Sequence, residues 1–141
     1  MNIHFSNKKE SAMGLVMTDF FQGWPNPPRS EVLLQSILNA DYVVLAIDTD
    51  CNQLVGYITA VSDNVLSAYI PFLEVIPPYQ KQGIGHQLVE QMMAQLAHLY
   101  MIDLVCDKEI AGFYAEAGLV SWHAMIKRNY ANQRGPSGGI S

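Results

Sequence analysis

The sequence has little charge, and basic residues are especially few. Only 15% of its 141 residues are Asp, Glu, Lys or Arg, and eight basic residues face thirteen acidic ones, a formal net charge of -5. A basic patch of useful size cannot be assembled from so few side chains, which argues against a nucleic-acid partner. An acidic protein is also better matched to a cationic ligand than to an anionic one.

Cysteine is scarce, and long apolar runs are missing. Cys51 and Cys106 lie far apart, without Cys-x-x-Cys or His partners at metal-ligand spacing, so we expect reduced thiols and no metal site. No apolar stretch approaches the length of about eighteen residues that predicts a membrane-spanning helix. Residues 1–5 lack the features of a signal peptide. We therefore expect a cytoplasmic protein without a membrane partner.

Apolar residues, by contrast, make up half of the chain, which is too hydrophobic for disorder. The length fits the commonest domain size. We predict a single domain over residues 1–130. The segment 131–141 is rich in Gly and Ser, has little to bury, and is predicted to be a mobile tail.

The most informative segment is residues 75–86, which read Val-Ile-Pro-Pro-Tyr-Gln-Lys-Gln-Gly-Ile-Gly-His. An apolar extended run, a glycine loop and an amphipathic segment follow one another, which predicts free backbone N–H groups at a helix N-terminus that favours a phosphate. A dinucleotide fingerprint would need a third glycine where Leu88 stands. A P-loop would need Lys and Ser or Thr after Gly85, where His86 and Gln87 follow.

The pattern that fits is Gln/Arg-x-x-Gly-x-Gly, carried by Gln80, Gly83 and Gly85. It resembles the coenzyme A pyrophosphate loop of the GCN5-related N-acetyltransferase (GNAT) superfamily. About thirty residues later, segment 107–119 resembles the second signature of that family, a short helix carrying Phe-Tyr and closed by a glycine. The family usually has Asn where this chain has Asp107, an equally good helix N-cap.

The resemblance implies an α/β (α+β) fold with a central mixed, mostly antiparallel sheet flanked by helices. The residue patterns predict the same kind of domain. Predicted strands cover residues 3–6, 42–47, 53–61, 66–76, 102–106 and 119–127, and predicted helices cover 11–22, 30–39, 82–99 and 108–117. Pro71 lies inside a predicted strand, which indicates a bulge or an unpaired side.

The resemblance also implies acetyl-CoA as acetyl donor. The residues it assigns to the cofactor are Leu73, Val75, Gln80, Lys81, Gln82, Gly83, Ile84, Gly85, His86 and Asp107. The first two, with Glu74 between them, would face the pantetheine arm through their backbone.

Catalytic roles are expected for two side chains. Tyr114, in the Phe-Tyr signature, is the candidate general acid that protonates the leaving thiolate. Glu74 is the candidate base or ammonium binder, since it alternates with Leu73 and Val75 along the strand. Glu74 has a second interpretation, as a hydrogen-bonding anchor for the preceding loops.

The acceptor pocket is expected in the first half of the chain, lined by Phe21, Trp24 and Tyr69. These aromatic side chains could instead cover the sheet or bury at a dimer contact, and a homodimer is left open. The predicted activity is transfer of an acetyl group to a primary amine by direct attack in a ternary complex. The acceptor, a small molecule or a peptide, is not identified. One alternative is an inactive acyl-CoA-binding sensor or interaction module. A second alternative is a nucleotide-binding α/β protein, and the hairpin-rich order of the first strands argues against this second one.

Overall fold

A computed structural model describes residues 1–136 of the chain. Its centre is a five-stranded sheet whose strands lie in chain order. The strands are β1 (Ile3–Ser6), β2 (Tyr42–Asp48), β3 (Gln53–Ser62), β4 (Ser67–Val75) and β5 (Met101–Leu104). Neighbouring strands are antiparallel from β1 to β4, and β5 runs parallel to β4. The predicted mixed, mostly antiparallel sheet is confirmed.

Helices cover both faces of this sheet. They are α1 (Ser30–Asn39), α2 (Ile84–Gln95) and the short α3 (Ala111–Ala115). Leu33 and Ile37 of α1 pack against one face, while Leu88 and Met92 of α2 pack against the other. Because both faces are covered, β2 and β3 are buried along most of their length. No helix within residues 1–136 is both apolar enough and long enough to cross a membrane.

A β-bulge interrupts β4 at Pro71. Thr59 of β3 is opposite Phe72, yet Val61, two residues further along β3, is opposite Tyr69. One extra residue on β4 therefore lies between these pairs, as the proline predicted.

Beyond the bulge, β4 is open toward β5. The parallel pairing runs from Ser67–Met101 to Ile70–Leu104, so residues 71–75 have no strand on that side within the described chain. The Ile76 N–H donates to Val55 O at 2.9 Å. Because hydrogen-bonded and non-hydrogen-bonded pairs alternate along an antiparallel ladder, the backbone groups of residues 73 and 75 point into this opening.

The helix predicted at 11–22 is wrong. A short 3₁₀ turn, Lys9–Ala12, is followed by an irregular loop in which Asp19 and Phe21 have positive φ angles of 68° and 61°. Such angles are incompatible with a right-handed helix. The loop instead pairs with β3, since Leu54 N donates to Val16 O at 2.9 Å. Hydrogen bonds to distant residues outcompete the local helical tendency here.

The strand predicted at 119–127 is also wrong, because this segment pairs with no strand within residues 1–136. The signature helix is shorter than predicted, with a 3₁₀ turn at Lys108–Ile110 before α3. Of the predicted tail, Gln133 Oε1 accepts a hydrogen bond from Asn26 N at 3.0 Å. Residues 137–141 lie outside the described residues, so the mobility of segment 131–141 stays a prediction.

The remaining predicted elements are present. The helix at 30–39 has the predicted bounds, and the strands begin and end within two residues of the predicted positions. Helix α2 is shorter at both ends than the predicted 82–99. It begins after Gly83, which is left-handed, and its C-cap is Leu96.

Candidate functional site

The loop between β4 and α2 forms a cradle of free backbone donors. Gly83 is the N-cap of α2, with a φ angle of 85° that glycine adopts without strain. None of the six backbone N–H groups from Lys81 to His86 donates a hydrogen bond to another group of the described chain. They concentrate partial positive charge at the start of a twelve-residue helix. This arrangement suits a phosphate group.

The cradle opens into a cavity of about 280 Å³. Its lining includes these predicted cofactor residues: Val75, Gln80, Lys81, Gly83, Ile84, Gly85 and His86. Tyr79 and Phe113 also line it and were missed. Leu73, Gln82 and Asp107 are not part of the lining, and the Asp107 side chain does not cap the turn that follows it.

Two hydrogen bonds hold the loop onto the sheet. The Gln80 side-chain amide donates to Val75 O at 2.8 Å, and the Tyr79 hydroxyl donates to Asp48 Oδ2 at 2.7 Å. Asp48 is only 3% exposed and also accepts from the backbone of Asn2 and Asp50. The hydrogen bond from Tyr79 is the main cause that lowers the pKa of Asp48, and it raises the pKa of Tyr79 in return.

Asp48 lies one residue beyond the predicted strand 42–47, and this role was not predicted. No local pattern signals it, because the contact joins residues 31 positions apart. A buried carboxylate therefore fixes one end of the loop.

Phe113 connects the second signature to the cradle. Its ring lies 4.5 Å from that of His86 and packs edge-to-face on Tyr114 at 5.2 Å. A Cβ atom built on Gly85 would lie 3.5 Å from the Phe113 ring, at ordinary contact distance. The two segments that carry the family resemblance thus meet in space.

Tyr114 lies in the core beside Cys106, and its side chain is 8% exposed. Burial of the phenol raises the pKa of Tyr114 to about 12, and the nearby Cys106 makes a smaller contribution in the same direction. The phenol is therefore protonated at neutral pH. It lies on the side of the sheet that α2 covers.

Glu74 lies on the opposite face and anchors a loop. Its Oε1 accepts from Phe21 N at 2.9 Å and its Oε2 from Gln22 N at 3.2 Å. The interpretation of Glu74 as a loop anchor agrees with these contacts. They leave lone pairs on both oxygens that could accept a further proton or hydrogen bond.

The three predicted acceptor residues separate into two places. Phe21 and Trp24 pack together at 4.8 Å, near Phe72 and Glu74. Phe21 is buried, so Trp24, at 37% exposure, presents the accessible ring. Tyr69 lies on β4 five residues before Glu74, which corresponds to roughly 16 Å along the strand. It lines a second, open trough of about 410 Å³.

Metal ligation finds no support in the described part of the chain, where no three His, Cys, Asp or Glu side chains cluster. The arrangement instead offers an anion cradle, an open strand edge, a protonated phenol and a carboxylate beside aromatic rings.

Known proteins share this architecture. The model of the acetyltransferase (GNAT) family matches residues 10–119. The crystal structure of a candidate acetyltransferase from Deinococcus radiodurans R1 is 38% identical, with a TM-score of 0.86, over 96% of this chain and 94% of that one.

A curated relative, the probable acetyltransferase TAP2 of Glycine max, is 29% identical over 69% of this chain. The match spans only 43% of the length of TAP2. The structure of AAC(6')-Iy, in complex with the bisubstrate analog CoA-S-monomethyl-acetylneamine, has a TM-score of 0.59 over 92% of this chain and 98% of that one. At 17% identity that likeness shows the fold alone.

Proposed function

This chain belongs to the GNAT family of acetyltransferases, and from that premise we propose that it moves the acetyl group of acetyl-CoA to a primary amine. The amine attacks the thioester directly in a ternary complex. The nitrogen forms a bond to the acyl carbon as the C–S bond breaks, the amine loses a proton, and the leaving thiolate gains one. The donor supplies an activated acyl group.

The observation that carries this proposal is the cradle of six free N–H groups at the start of α2. Its donors are prearranged, so a pyrophosphate binds them without reorganisation of the loop. Gly85 lines the cavity without a Cβ atom, which would lie 3.5 Å from Phe113 and 4.0 Å from Val75, both of which also line it. Lys81 adds a cationic side chain at the rim. We assign the pyrophosphate of acetyl-CoA to this cradle.

The open edge of β4 suits the pantetheine arm. The backbone groups of Leu73 and Val75 point into the opening between β4 and β5. An extended amide-bearing chain can pair with such an edge as an added strand does. The Val75 carbonyl already accepts a hydrogen bond from the Gln80 side chain, so the Val75 N–H is the backbone group that is left to bind the cofactor. That N–H is the candidate donor to the thioester oxygen, where negative charge develops.

Stabilisation of the leaving thiolate is assigned to Tyr114. Its pKa of about 12 keeps it protonated. A thiol has a reference pKa of about 8.5, so complete transfer from this phenol to a free thiolate would be uphill. Tyr114 therefore stabilises the leaving sulfur by donating a hydrogen bond as the C–S bond breaks, and the proton lost by the amine balances the reaction.

Glu74 and Trp24 form the acceptor side. A carboxylate close to an aromatic ring favours an ammonium group, through charge and through cation–π attraction. The same carboxylate binds the loop that carries Phe21, so Glu74 both positions this loop and supplies a negative charge to the acceptor site. We propose that Glu74 binds the ammonium and accepts its proton, directly or through water.

The proposal is tested by calorimetry and by release of free thiol from acetyl-CoA across a panel of amines. Acetyl-CoA should bind and should stabilise the protein by about 2.7 kcal/mol at a hundred times its dissociation constant, whereas NAD and ATP should not. Polyamines, aminoglycosides and amino-terminal peptides should be included as acceptors. Failure to bind acetyl-CoA would refute the proposal. Binding without turnover on any amine would favour the inactive acyl-CoA-binding module.

A further inference from the structure

Tyr57 of β3 is a buried phenol without a hydrogen-bond partner. The residue is only 1% exposed, and its hydroxyl makes no hydrogen bond within residues 1–136. In this part of the chain, Thr59 Oγ1 is the one side-chain oxygen or nitrogen that is both sealed from solvent and unpaired. The Tyr57 oxygen, which is also unpaired, therefore still reaches the surface. Because buried polar groups are nearly always hydrogen-bonded, this hydroxyl indicates a partner from outside the chain.

Tyr57 and Glu74 are neighbours on one face of the sheet. They lie directly opposite each other in the register of β3 and β4. Side chains of such a pair point to the same face, with Cβ atoms about 5 Å apart. The Glu74 carboxylate keeps lone pairs beyond its two bonds to the backbone of Phe21 and Gln22. A ligand whose ammonium group binds Glu74 therefore has the Tyr57 hydroxyl within reach.

Aromatic rings connect the phenol to the acceptor side. The Phe20 ring packs edge-to-face on Tyr57 at 5.4 Å, and the Phe72 ring lies 6.5 Å from Tyr57. Phe72 in turn lies 6.4 Å from Phe21 and 6.5 Å from Trp24. Tyr57 thus belongs to the same aromatic cluster as the exposed ring that was assigned to the acceptor, and it places a hydroxyl among rings that are otherwise apolar.

The chemistry of this place fits a neutral oxygen. Burial, and to a lesser degree the charge of Glu74, raises the pKa of Tyr57, so the phenol stays protonated and is able to donate a hydrogen bond. No other charged group of residues 1–136 contributes to this shift. A second ammonium group beside the phenol would therefore be desolvated without a counterion of its own, and a carboxylate would face the charge of Glu74. A hydroxyl, ether or carbonyl oxygen avoids both costs.

We propose that Tyr57 is an acceptor-binding residue whose hydroxyl donates a hydrogen bond to a neutral oxygen of the amine that Glu74 holds. This assignment rests on the amine-binding side of the proposed function. It defines the acceptor as a primary amine that also carries a hydroxyl, ether or carbonyl oxygen, as amino alcohols, amino sugars and peptide amino termini do. Polyamines and simple alkylamines lack this oxygen and should be poor acceptors, because they leave the buried phenol unpaired.

Matched amines test this preference. 2-Methoxyethylamine and butylamine differ by one ether oxygen in place of a methylene group, and 3-methoxypropylamine and pentylamine form a second pair with the oxygen one carbon further from the nitrogen. For each pair the ratio of kcat/KM values, oxygen-bearing over apolar, is measured with acetyl-CoA. Tyr57→Phe should lower this ratio by about tenfold in at least one pair, the effect of one lost hydrogen bond. Because each ratio is compared between two proteins, the different basicities of the amines cancel.

Tyr42→Phe is the matched control. The Tyr42 hydroxyl binds Asn64, and Tyr42 packs on the side of the sheet that α2 covers. The same chemical change is thus made away from Glu74, and the ratio should equal that of the wild type. Tyr57→Phe keeps the ring that fills the core, so the variant should fold with an unchanged acetyl-CoA affinity, which circular dichroism and calorimetry check.

A binding measurement separates this assignment from the reaction. Calorimetry with coenzyme A in place of acetyl-CoA gives the affinity of each amine without turnover. A preference for the oxygen-bearing amines that Tyr57→Phe abolishes, in a protein that acetylates none of them, would refute the proposed activity and support the assignment of Tyr57. Equal ratios in wild type and Tyr57→Phe would overturn the assignment even if every amine is acetylated. So would a wild type that binds none of the four amines, or a ratio that Tyr42→Phe lowers as much.

Discussion

Replacement of Gly85 by Ala separates cofactor binding from stability. Gly85 lies in the first turn of α2, and the added Cβ would contact Phe113 at 3.5 Å and Val75 at 4.0 Å without a clash. Ala is favoured over Gly inside a helix by about 0.5–1 kcal/mol. The free energy of unfolding should therefore stay the same or rise, with a melting temperature up by as much as a few degrees.

Binding should change in the opposite direction. The same Cβ occupies the cavity where the backbone N–H groups must meet a phosphate. We expect the acetyl-CoA dissociation constant, measured by calorimetry, to rise at least tenfold, about 1.4 kcal/mol. Gly83 is a less informative target, because its φ angle of 85° makes any side chain there strained by about 1–2 kcal/mol.

Gly112→Ala is the matched control. Gly112 lies in α3, and a Cβ there meets no atom within 4 Å. It makes the same chemical change outside the cavity, so affinity should equal that of the wild type. Unchanged affinity in Gly85→Ala, or an equal loss in Gly112→Ala, would show that the phosphates bind elsewhere.

Three further substitutions test other parts of the site. Tyr114→Phe keeps the ring and removes the donor, so turnover should fall about a hundredfold or more while acetyl-CoA affinity is unchanged; near-normal turnover would leave Tyr114 a packing residue. Glu74→Gln should depress turnover most at low pH, where amine deprotonation limits the rate, and a pH profile parallel to the wild type would reduce Glu74 to a loop anchor. Asp48→Asn should lower the melting temperature near neutral pH, since the lowered pKa of Asp48 means that its carboxylate stabilises the fold above the ordinary pKa and loses this effect as the pH falls through the folded value. The difference from wild type should therefore shrink on acidification, and a constant difference would contradict the assignment.

The sequence predicted best where a local pattern determines the structure. Gly83 and Gly85 mark the turn and the close approach within a few residues, and Pro71 marks the bulge because it lacks an N–H group. The alternating strands and α1 also follow from short-range patterns. Most of the cofactor cradle, which contains Gly83 and Gly85, was therefore predicted from local patterns.

The predictions were wrong where contacts between residues far apart in the sequence determine the local structure. The loop at 13–24 has helical spacing of apolar residues, but the Glu74 carboxylate binds the backbone N–H groups of Phe21 and Gln22. The Asp48–Tyr79 bond likewise joins distant segments and has no sequence signature. Segment 119–127 was predicted as a strand from its apolar residues, but it pairs with no strand within the described residues 1–136.

The bulge at Pro71 determines which side chains of β4 face each layer of the domain. Before it, Ala68 and Ile70 pack toward α2, and after it Leu73 and Val75 do so. Deleting this one residue would move every later side chain to the other face, so that Glu74 would enter the apolar layer under α2. The number of residues in β4 thus determines that the Glu74 carboxylate lies on the sheet face opposite to the Leu73 and Val75 side chains. At this position the chain should tolerate substitution far better than a change of length.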